Sequence, residues 1–427
     1  MAISRRYFLK SGGLSLFGAS FVPSFLRRTA YALEQPRASA RKKILVAIFQ
    51  RGAADGLNIV VPFGDRSYSS LRPSIAIPEP SSRSESNGQT AIDLDGFFGL
   101  HPSLDALKPL FYSRQLAILH AAGSPDSTRS HFDAQDYMET ATPGRSASDG
   151  WLNRWLDASP DVEATPFRAV AISSQMPRTL LGAAPALSLD DVRNFRLRAA
   201  GPAGPSALQT GFESMYASAS SALLDRTARE MFEAAATLER VGSSEYQPAA
   251  GVQYPKGPLG TSLRQIAQLI KADVGLEVAF AETSGWDHHV NEGGVQGPLA
   301  NNLKQFGDSL AAFHQDLGDR MAEVVVLTMT EFGRTARENG NRGTDHGHAS
   351  AMFVLGGPVR GGKIYGQWPG LAPGQLHEGR DLALTTDFRD VFAEVAVRHL
   401  GADLPGAQGT IFPGFSVSTS RFRGFIG

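Results

Sequence analysis

Histidine and aspartate are concentrated in a few short segments of this 427-residue chain. Five of the ten histidines fall into three such segments: His131, His288, His289, His346 and His348. Asp287 and Asp345 lie in two of the same segments, and together these residue types are common ligands of zinc, manganese or iron. Because the chain contains no cysteine, thiolate ligands, thiolate catalysis and disulfides are excluded. Any metal ion must therefore be held by nitrogen and oxygen atoms.

These polar segments belong to a larger pattern, in which polar residues follow apolar runs that have the composition of buried strands. The runs 44–49, 276–281 and 324–329 precede the polar segments 50–58, 284–289 and 330–335. Further strands are predicted over 116–119, 167–172 and 351–355, and helices over 104–113, from Ser130 onward, and over 260–271, 299–318 and 388–400. This alternation predicts an α/β fold with a doubly wound, mostly parallel sheet and helices on both faces. Ligands of such sheets bind beyond the carboxyl ends of the strands, so we expect the polar segments to meet there.

Most of the polar residues also have an explanation that needs no ligand. Ser130 begins a predicted helix, where its hydroxyl suits an oxyanion or phosphate but is equally suited to be an ordinary N-cap. Asp55 could occupy a turn. Asp287 and His289 could belong to a hydrogen-bonded turn. Glu331 and Arg334 could form an ion pair. The run 345–348 (Asp-His-Gly-His) is the most specific sign of a metal site.

The N-terminus has the ordered parts of an export signal. Arg5 and Arg6 follow a serine and precede an aromatic residue, a leucine and a lysine. Residues 12–26 form a weakly apolar stretch that is too short and polar to span a bilayer stably, and residues 30–32 (Ala-Tyr-Ala) supply a cleavage pattern. We predict a twin-arginine signal peptide over 1–32, with the twin-arginine translocase as export partner and a periplasmic or secreted mature protein.

The charge balance limits the partners of the mature chain. The whole sequence has 41 basic and 42 acidic residues, and loss of the signal removes five basic residues and no acidic one, which leaves a net charge near −6. This gives no reason to expect binding to nucleic acid or to an anionic membrane, and no other apolar run is long enough for a stable membrane span. We expect a flexible leader over 33–42 and a single domain over 43–427, with 187–260 as a helical insertion or cap.

At the polar segments the sequence resembles the exported bacterial family called domain of unknown function 1501. The matching motifs run through nearly the whole mature chain: 51–58 (RGAADGLN), 100–102 (LHP), 129–132 (RSHF), 150–154 (GWLNR), 285–289 (GWDHH), 331–335 (EFGRT), 344–347 (TDHG) and 386–389 (TDFR). That family is similar to the alkaline-phosphatase-like superfamily, which includes phosphatases, sulfatases and phosphomutases. The resemblance implies a doubly wound α/β sandwich with a two-metal site at the strand ends.

The resemblance also implies roles for individual residues. The implied metal ligands are Asp55, Asp287, His289, Asp345, His346 and His348, with Asp287 and His289 in one site, Asp345 and His346 in the other, and His348 close by. Ser130 resembles the nucleophile that opens a helix, with Ser127 and Thr128 as alternatives. Arg129, Arg334 or Arg51 would bind the anionic part of a substrate. The implied cofactor is one or two divalent ions of zinc, manganese or iron.

One segment departs from the alkaline-phosphatase pattern. Those enzymes have a further histidine after the Asp-His segment that completes the first metal site, whereas residues 356–362 (GGPVRGG) have none. His288 or His348 could replace it, and Arg360 or Arg334 could hold a substrate anion there.

Two classes of function follow from these residues. The sequence predicts a metal-dependent hydrolase or transferase that acts on phosphate or sulfate esters, with a small anionic ester or a glycan as substrate. The alternative is a non-catalytic, metal-stabilised binding or assembly protein on the same scaffold. A redox enzyme is disfavoured, because no dinucleotide-binding glycine motif follows the first strand.

Overall fold

The computed structural model of the chain describes residues 42–80, 89–159, 161, 164–192, 237, 241 and 245–427. The predicted signal peptide with Arg5 and Arg6, and nearly all of the predicted leader, lie outside the described residues. So does most of the predicted insertion over 187–260. Within the described part, no helix has both the length and the apolar character that crossing a membrane requires.

The described residues form a large mixed sheet. Its strands in chain order are β1 Ile44–Gln50, β2 Leu116–Gly123, β3 Ala169–Ile172, β4 Leu187–Leu189, β5 Val278–Thr283, β6 Val324–Met329, β7 Ser350–Gly356, β8 Ile364–Tyr365 and β9 Thr386–Asp387. Their order across the sheet is β8-β2-β7-β6-β1-β5-β3-β4, and β9 also pairs with β2. Within this sheet only β7 runs antiparallel, to β2 and β6. The prediction of a mostly parallel α/β sheet is confirmed.

The sheet is covered by helices on both faces, as predicted. Among the described residues, the five longest α-helices are α1 His131–Thr140, α2 Trp151–Ala158, α3 Pro258–Lys271, α4 Pro298–Leu317 and α5 Phe388–Glu394. On one face, Val46 and Ile48 of β1 pack in the same core as α3 and α4. On the other face, Leu45 and Phe49 share a core with α1, α2 and α5. Alternate residues of one strand therefore enter two separate cores, which explains why the strand is apolar throughout.

The predicted elements agree with the observed ones to within a few residues. The strand predicted over 324–329 matches β6, and the helix predicted over 299–318 matches α4, whose Leu303, Phe306 and Leu310 are buried as their spacing requires. The helix predicted over 104–113 is instead a 3₁₀ segment, Pro102–Leu107, followed by a short helix, Lys108–Tyr112. The last predicted helix contains α5 and continues as a π-helical turn, Val395–His399.

Short elements complete the described structure. A small antiparallel sheet comprises Val60–Val61, Ile92–Asp93 and Gly99–Leu100. The remaining short helical segments are Gly56–Ile59, Ser67–Leu71, Arg178–Leu180, Gly318–Glu323, Pro373–Gln375, Leu404–Gly406, Ala407–Ile411 and Thr419–Arg421.

Candidate metal centre

Several polar segments meet at one edge of the sheet because of strand direction. The segments after β2, β5 and β6 leave from carboxyl ends that lie at the same edge, since these strands run the same way. His346 precedes β7, and because β7 is antiparallel its start lies at that edge too. Loops from four strands therefore bring His131, Asp287, Glu331 and His346 together.

Close loop packing at this edge depends on a glycine. Gly52, directly after β1, has φ +118°. A Cβ added there would lie 2.8 Å from the backbone nitrogen of Asp287. The Gly52 N–H donates to Glu331 Oε1 at 2.8 Å. Glycine thus allows the loop after β1 to pack against both the Asp287 loop and the segment after β6.

Three residues in the described part offer ligand atoms that all lie within 4.8 Å of one another: His131, Asp287 and His346. His131 Nε2 lies 3.0 Å from His346 Nε2 and 3.5 Å from Asp287 Oδ2. Asp287 Oδ1 lies 3.3 Å from His346 Nε2. His289 adjoins this group, with its Nε2 3.0 Å from both His346 Nε2 and Asp287 Oδ1. The four side chains form one cluster, which we call the histidine cluster.

The other nitrogen of each ring is fixed by an oxygen. His131 Nδ1 lies 2.8 Å from Glu331 Oε1, and His346 Nδ1 lies 2.9 Å from the carbonyl oxygen of Arg129. His289 Nδ1 lies 3.0 Å from Asp345 Oδ1. A carbonyl or ionised carboxylate can only accept, so each Nδ1 donates its proton. In a neutral ring this leaves the Nε2 lone pair facing the cluster.

The cluster fits a divalent metal ion. The Nε2 atoms of His131 and His346 converge with the carboxylate of Asp287, and His289 Nε2 lies 3.0 Å from two of these ligand atoms. Unprotonated acceptors that face one another at 3.0 Å repel unless a cation lies between them. An ion with ligand bonds of about 2 Å in a tetrahedral arrangement separates its ligand atoms by about 3.3 Å, close to the observed spacings. Nitrogen and oxygen donors suit zinc, manganese or iron. Partners on the second nitrogen are a usual feature of metal-binding histidines.

Arg334 orients Asp287. The Arg334 guanidinium is buried and donates through Nη1 to Asp287 Oδ1 at 2.6 Å. It also donates to the hydroxyl and the carbonyl oxygen of Thr344. Burial favours a higher pKa for Asp287, but the hydrogen bond and charge of Arg334 outweigh it and the pKa is lowered. Asp287 is therefore kept ionised, as a metal ligand must be.

Glu331 orients His131. Its buried carboxylate accepts from His131, Gln135 and the Gly52 N–H. These hydrogen bonds hold the pKa of Glu331 below its usual value despite burial. In turn the Glu331 hydrogen bond raises the pKa of His131. The alternative of an ion pair between Glu331 and Arg334 is wrong, because each instead contacts a different member of the histidine cluster.

Asp345 contacts the cluster from its margin. Its Oδ1 accepts from Asn339 at 3.1 Å as well as from His289. Burial favours a higher pKa for Asp345, but these two hydrogen bonds lower it below the usual value. Asp345 thus lies beside His289 and orients its ring. These contacts are those of a residue that supports a metal ligand.

Asp55 lies deeper in the molecule than the cluster. Its carboxylate is buried and forms a two-point ion pair with the equally buried Arg72, through Nη1 and, at 2.9 Å, through Nη2. Burial favours a higher pKa for Asp55, yet the charge and hydrogen bonds of Arg72 lower it. Arg72 also donates to the carbonyl oxygens of Thr335 and Ala336. The structure therefore gives Asp55 an arginine partner and does not bring it into the group of His131, Asp287 and His346.

Ser130 and Arg129 lie directly before His131. Ser130 is the N-cap of α1, and its Oγ accepts from the Asp133 N–H at 3.4 Å. Arg129 donates to Glu378 at 2.7 Å and to buried Asp381 at 2.8 Å. Of the alternatives to Ser130, Ser127 is exposed, and Thr128 Oγ1 accepts from the Ser130 N–H at 3.3 Å. The N-cap interpretation of Ser130 is confirmed, and its hydroxyl lies one residue from a member of the cluster.

Neither histidine expected to replace the absent one belongs to the group of His131, Asp287 and His346. His348 stacks on His377, with ring centroids 4.2 Å apart, and burial lowers its pKa to about 4. His288 is buried, and burial lowers its pKa. Gly356 pairs with Val325 at the start of β6, so residues 356–362 with Arg360 leave the sheet at the opposite edge. A histidine in that segment would not reach the cluster.

The sequence motifs do not predict the roles of two residues of the site. His131 is one of the clustered histidines, but neither the motifs nor the resemblance makes it a metal ligand. For Glu331 they suggest only an ion pair with Arg334. Their positions in the predicted elements are the only sequence feature that points to the site. His131 follows a serine at a helix start, and Glu331 follows a buried strand, both at the edge where the other ligands lie.

The comparison with protein families identifies the chain. The model of the family described as protein of unknown function DUF1501 matches residues 42–408. The chain therefore belongs to this family, as its motifs indicated. The match includes every residue of the histidine cluster. No curated protein matches the sequence.

Three solved structures illustrate the overall likeness. The lipoteichoic acid synthase LtaP from Listeria monocytogenes has 9% identity and a TM-score of 0.37, with 100% of this chain and 81% of that chain covered. The C-terminal periplasmic domain of EcEptC from Escherichia coli, in complex with Zn, has 10% identity and a TM-score of 0.28, with 75% and 74% covered. Alkaline phosphatase from the Antarctic bacterium TAB5 has 11% identity and a TM-score of 0.26, with 75% and 93% covered. Values this low carry no conclusion about the site.

Proposed function

We propose that this chain is a metal-dependent hydrolase or transferase of phosphate or sulfate esters, exported by the twin-arginine route. The observation that carries the proposal is the convergence of His131, Asp287 and His346, with His289 beside them, at the carboxyl edge of the sheet. A divalent ion held there would act as a Lewis acid toward a phosphoryl or sulfuryl oxygen. Asp287 and His289 are each about two-fifths exposed, which leaves the cluster accessible to a small ester.

The residues of the chain prepare this cluster for such chemistry. Glu331 and the Arg129 carbonyl fix the ring orientations of His131 and His346, and Arg334 keeps Asp287 ionised. Ser130 offers a hydroxyl at the start of α1, where free backbone N–H groups favour an anion. Its cap contact is long, at 3.4 Å, so the hydroxyl is only weakly engaged. We assign Ser130 the role of nucleophile toward the ester.

One observation favours the alternative of a non-catalytic, metal-stabilised binding or assembly protein. The arginines expected to hold a substrate anion already contact acidic residues. Arg51 donates to Glu139 and Glu282, and Arg334 to Asp287. Arg129 donates to Asp381 and Glu378. A substrate anion would therefore depend on the metal ion and the start of α1 for positive charge.

A turnover assay separates the two functions. The purified chain is loaded separately with zinc, manganese or iron(II) and assayed on a phosphate monoester, a phosphate diester and a sulfate ester. We expect hydrolysis of at least one ester by the wild type, and its loss in His346→Ala and Ser130→Ala. Ser127→Ala is the matched control, because Ser127 lies nearby on an exposed position.

The outcomes for the variants are specific. Turnover that persists in Ser130→Ala would reject the nucleophile. Metal binding by the wild type without turnover of any ester class would favour the binding or assembly protein.

A further inference from the structure

Large apolar side chains are exposed next to the histidine cluster. In the described part of the chain, four such side chains are exposed: Tyr112, Phe132, Val290 and Leu404. Phe132 is 89% exposed and directly follows His131, and Val290 is 57% exposed and directly follows His289. Single exposed apolar residues are common on protein surfaces. Two of them, Phe132 and Val290, directly follow residues of the same polar cluster, which single scattered residues would not be expected to do.

Phe132 and Val290 begin close to the cluster because they follow two of its residues in the chain. The Nε2 atoms of His131 and His289 both lie 3.0 Å from His346 Nε2. Neighbouring Cα atoms are about 3.8 Å apart, so Phe132 and Val290 each begin one residue from a ring of the cluster. Phe132 is the second residue of α1. Both exposed apolar side chains therefore leave the backbone one residue from a ring of the cluster.

We propose that Phe132 and Val290 determine substrate specificity by contacting an aryl or alkyl group of the ester. This inference rests on the proposed function. The charged head of the ester would face the histidine cluster, and its apolar group would cover Phe132 and Val290. Removing that apolar surface from water favours esters with a large apolar group over small polar ones. An ester with an anionic head and a large apolar group therefore matches a polar cluster that adjoins exposed apolar side chains.

Binding of two phosphonates tests the specificity without relying on turnover. Phenylphosphonate and methylphosphonate carry the same anionic head and differ in the apolar group. We expect zinc-loaded wild type to bind phenylphosphonate about tenfold or more tightly than methylphosphonate in calorimetry. Phe132→Ser and Val290→Ser should each reduce that preference and leave methylphosphonate binding unchanged. Tyr112→Ser and Leu404→Ser are matched controls at exposed apolar positions that do not follow a residue of the cluster.

The results distinguish this inference from the proposed function. Binding of methylphosphonate with no preference for the phenyl compound overturns the specificity and leaves the proposed function standing. An unchanged preference in both Phe132→Ser and Val290→Ser, or one that survives removal of zinc, also overturns it. If zinc-loaded wild type binds neither phosphonate, the proposed function fails and the specificity fails with it.

Discussion

At the residue scale, metal binding depends on which ring nitrogen of each histidine faces the cluster. Each of three histidines donates Nδ1–H to an oxygen, so each Nε2 is directed inward. Two of the oxygens belong to the side chains of Glu331 and Asp345, and the third is the backbone carbonyl of Arg129. The two carboxylates can be tested by substitution. Glu331 is the better probe because it is buried.

Substitution of Glu331 by Gln should weaken metal binding. The amide keeps the size of the side chain but removes the negative charge beside His131, and loss of such a partner typically costs about 10–100-fold in metal affinity. Zinc titration by calorimetry measures the change. Glu338→Gln, which alters a carboxylate bonded to Ser74 away from the cluster, should bind zinc like the wild type. Equal affinity in Glu331→Gln would show that Glu331 does not support a metal ligand.

Metal affinity should fall as the pH is lowered. Glu331 raises the pKa of His131, so the metal-free cluster holds this proton more tightly, and a metal ion must displace it. Affinity should therefore increase with pH until the pKa of His131 is passed. Zinc binding measured between about pH 5.5 and about pH 8 tests this. In Glu331→Gln the fall in affinity should begin at a lower pH, and an identical profile would count against the assigned pair.

The raised pKa of His131 also affects the stability of the metal-free protein. Here a rise in pH lowers stability, whereas it increases metal affinity. A raised pKa in the folded state means that His131 contributes stability below its unfolded pKa, which is near 6.5. That contribution is lost as the pH rises through the folded pKa. Metal binding replaces the proton, so the loss is expected only in metal-free protein.

At the element scale, the direction of β7 decides which loops reach the site. The alternation of strands and helices predicted a mostly parallel sheet, and the apolar runs located its strands. Periodicity does not reveal that β7 is antiparallel, because a strand buried on both faces has the same composition in either direction. The segment 356–362 was therefore expected at the site, whereas it lies at the opposite edge and the loop before β7 supplies His346.

The sequence predicted that these polar segments meet, but it did not predict the contacts that decide each residue's role. Asp287, His289 and His346 lie together at one edge of the sheet as their segments indicated, although the resemblance implied one site for Asp287 with His289 and another for His346 with Asp345. Asp55 has the expected place after β1, but its partner Arg72 follows a short helix, Ser67–Leu71, that no motif linked to it. Long-range ion pairs of this kind depend on packing, which spacing alone does not encode.

Breaking the pair between Asp55 and Arg72 should destabilise the fold without removing a metal ligand. Asp55→Asn removes the carboxylate that is hydrogen-bonded to the buried Arg72 guanidinium, and breaking a buried ion pair typically costs about 3–5 kcal/mol of unfolding free energy. Chemical denaturation measures the loss, and the double variant Asp55→Asn, Arg72→Met should recover part of it. Metal content of folded Asp55→Asn should equal that of the wild type. A specific loss of metal would return Asp55 to the set of ligands.

At the scale of the whole molecule, metal binding and folding should be linked. The cluster is assembled from loops that follow or precede four strands, so it exists only in the folded chain. A ligand that binds only the native state stabilises it, by about 4 kcal/mol when free ligand is a thousandfold above its Kd. Calorimetric melting with zinc and with a chelator should therefore give a lower Tm in the chelator. His346→Ala should show no difference between the two conditions, and a chelator-insensitive wild type would contradict the linkage.

The most direct test of the metal centre is metal content. We would load the purified chain with zinc, remove free metal and measure bound metal by elemental mass spectrometry, beside His346→Ala and His314→Ala. We expect about one equivalent of zinc in the wild type and its loss in His346→Ala. His314→Ala should retain the metal, because the His314 ring contacts Gln115 and no residue of the cluster. No bound metal in the wild type, or equal metal in His346→Ala, would contradict this expectation.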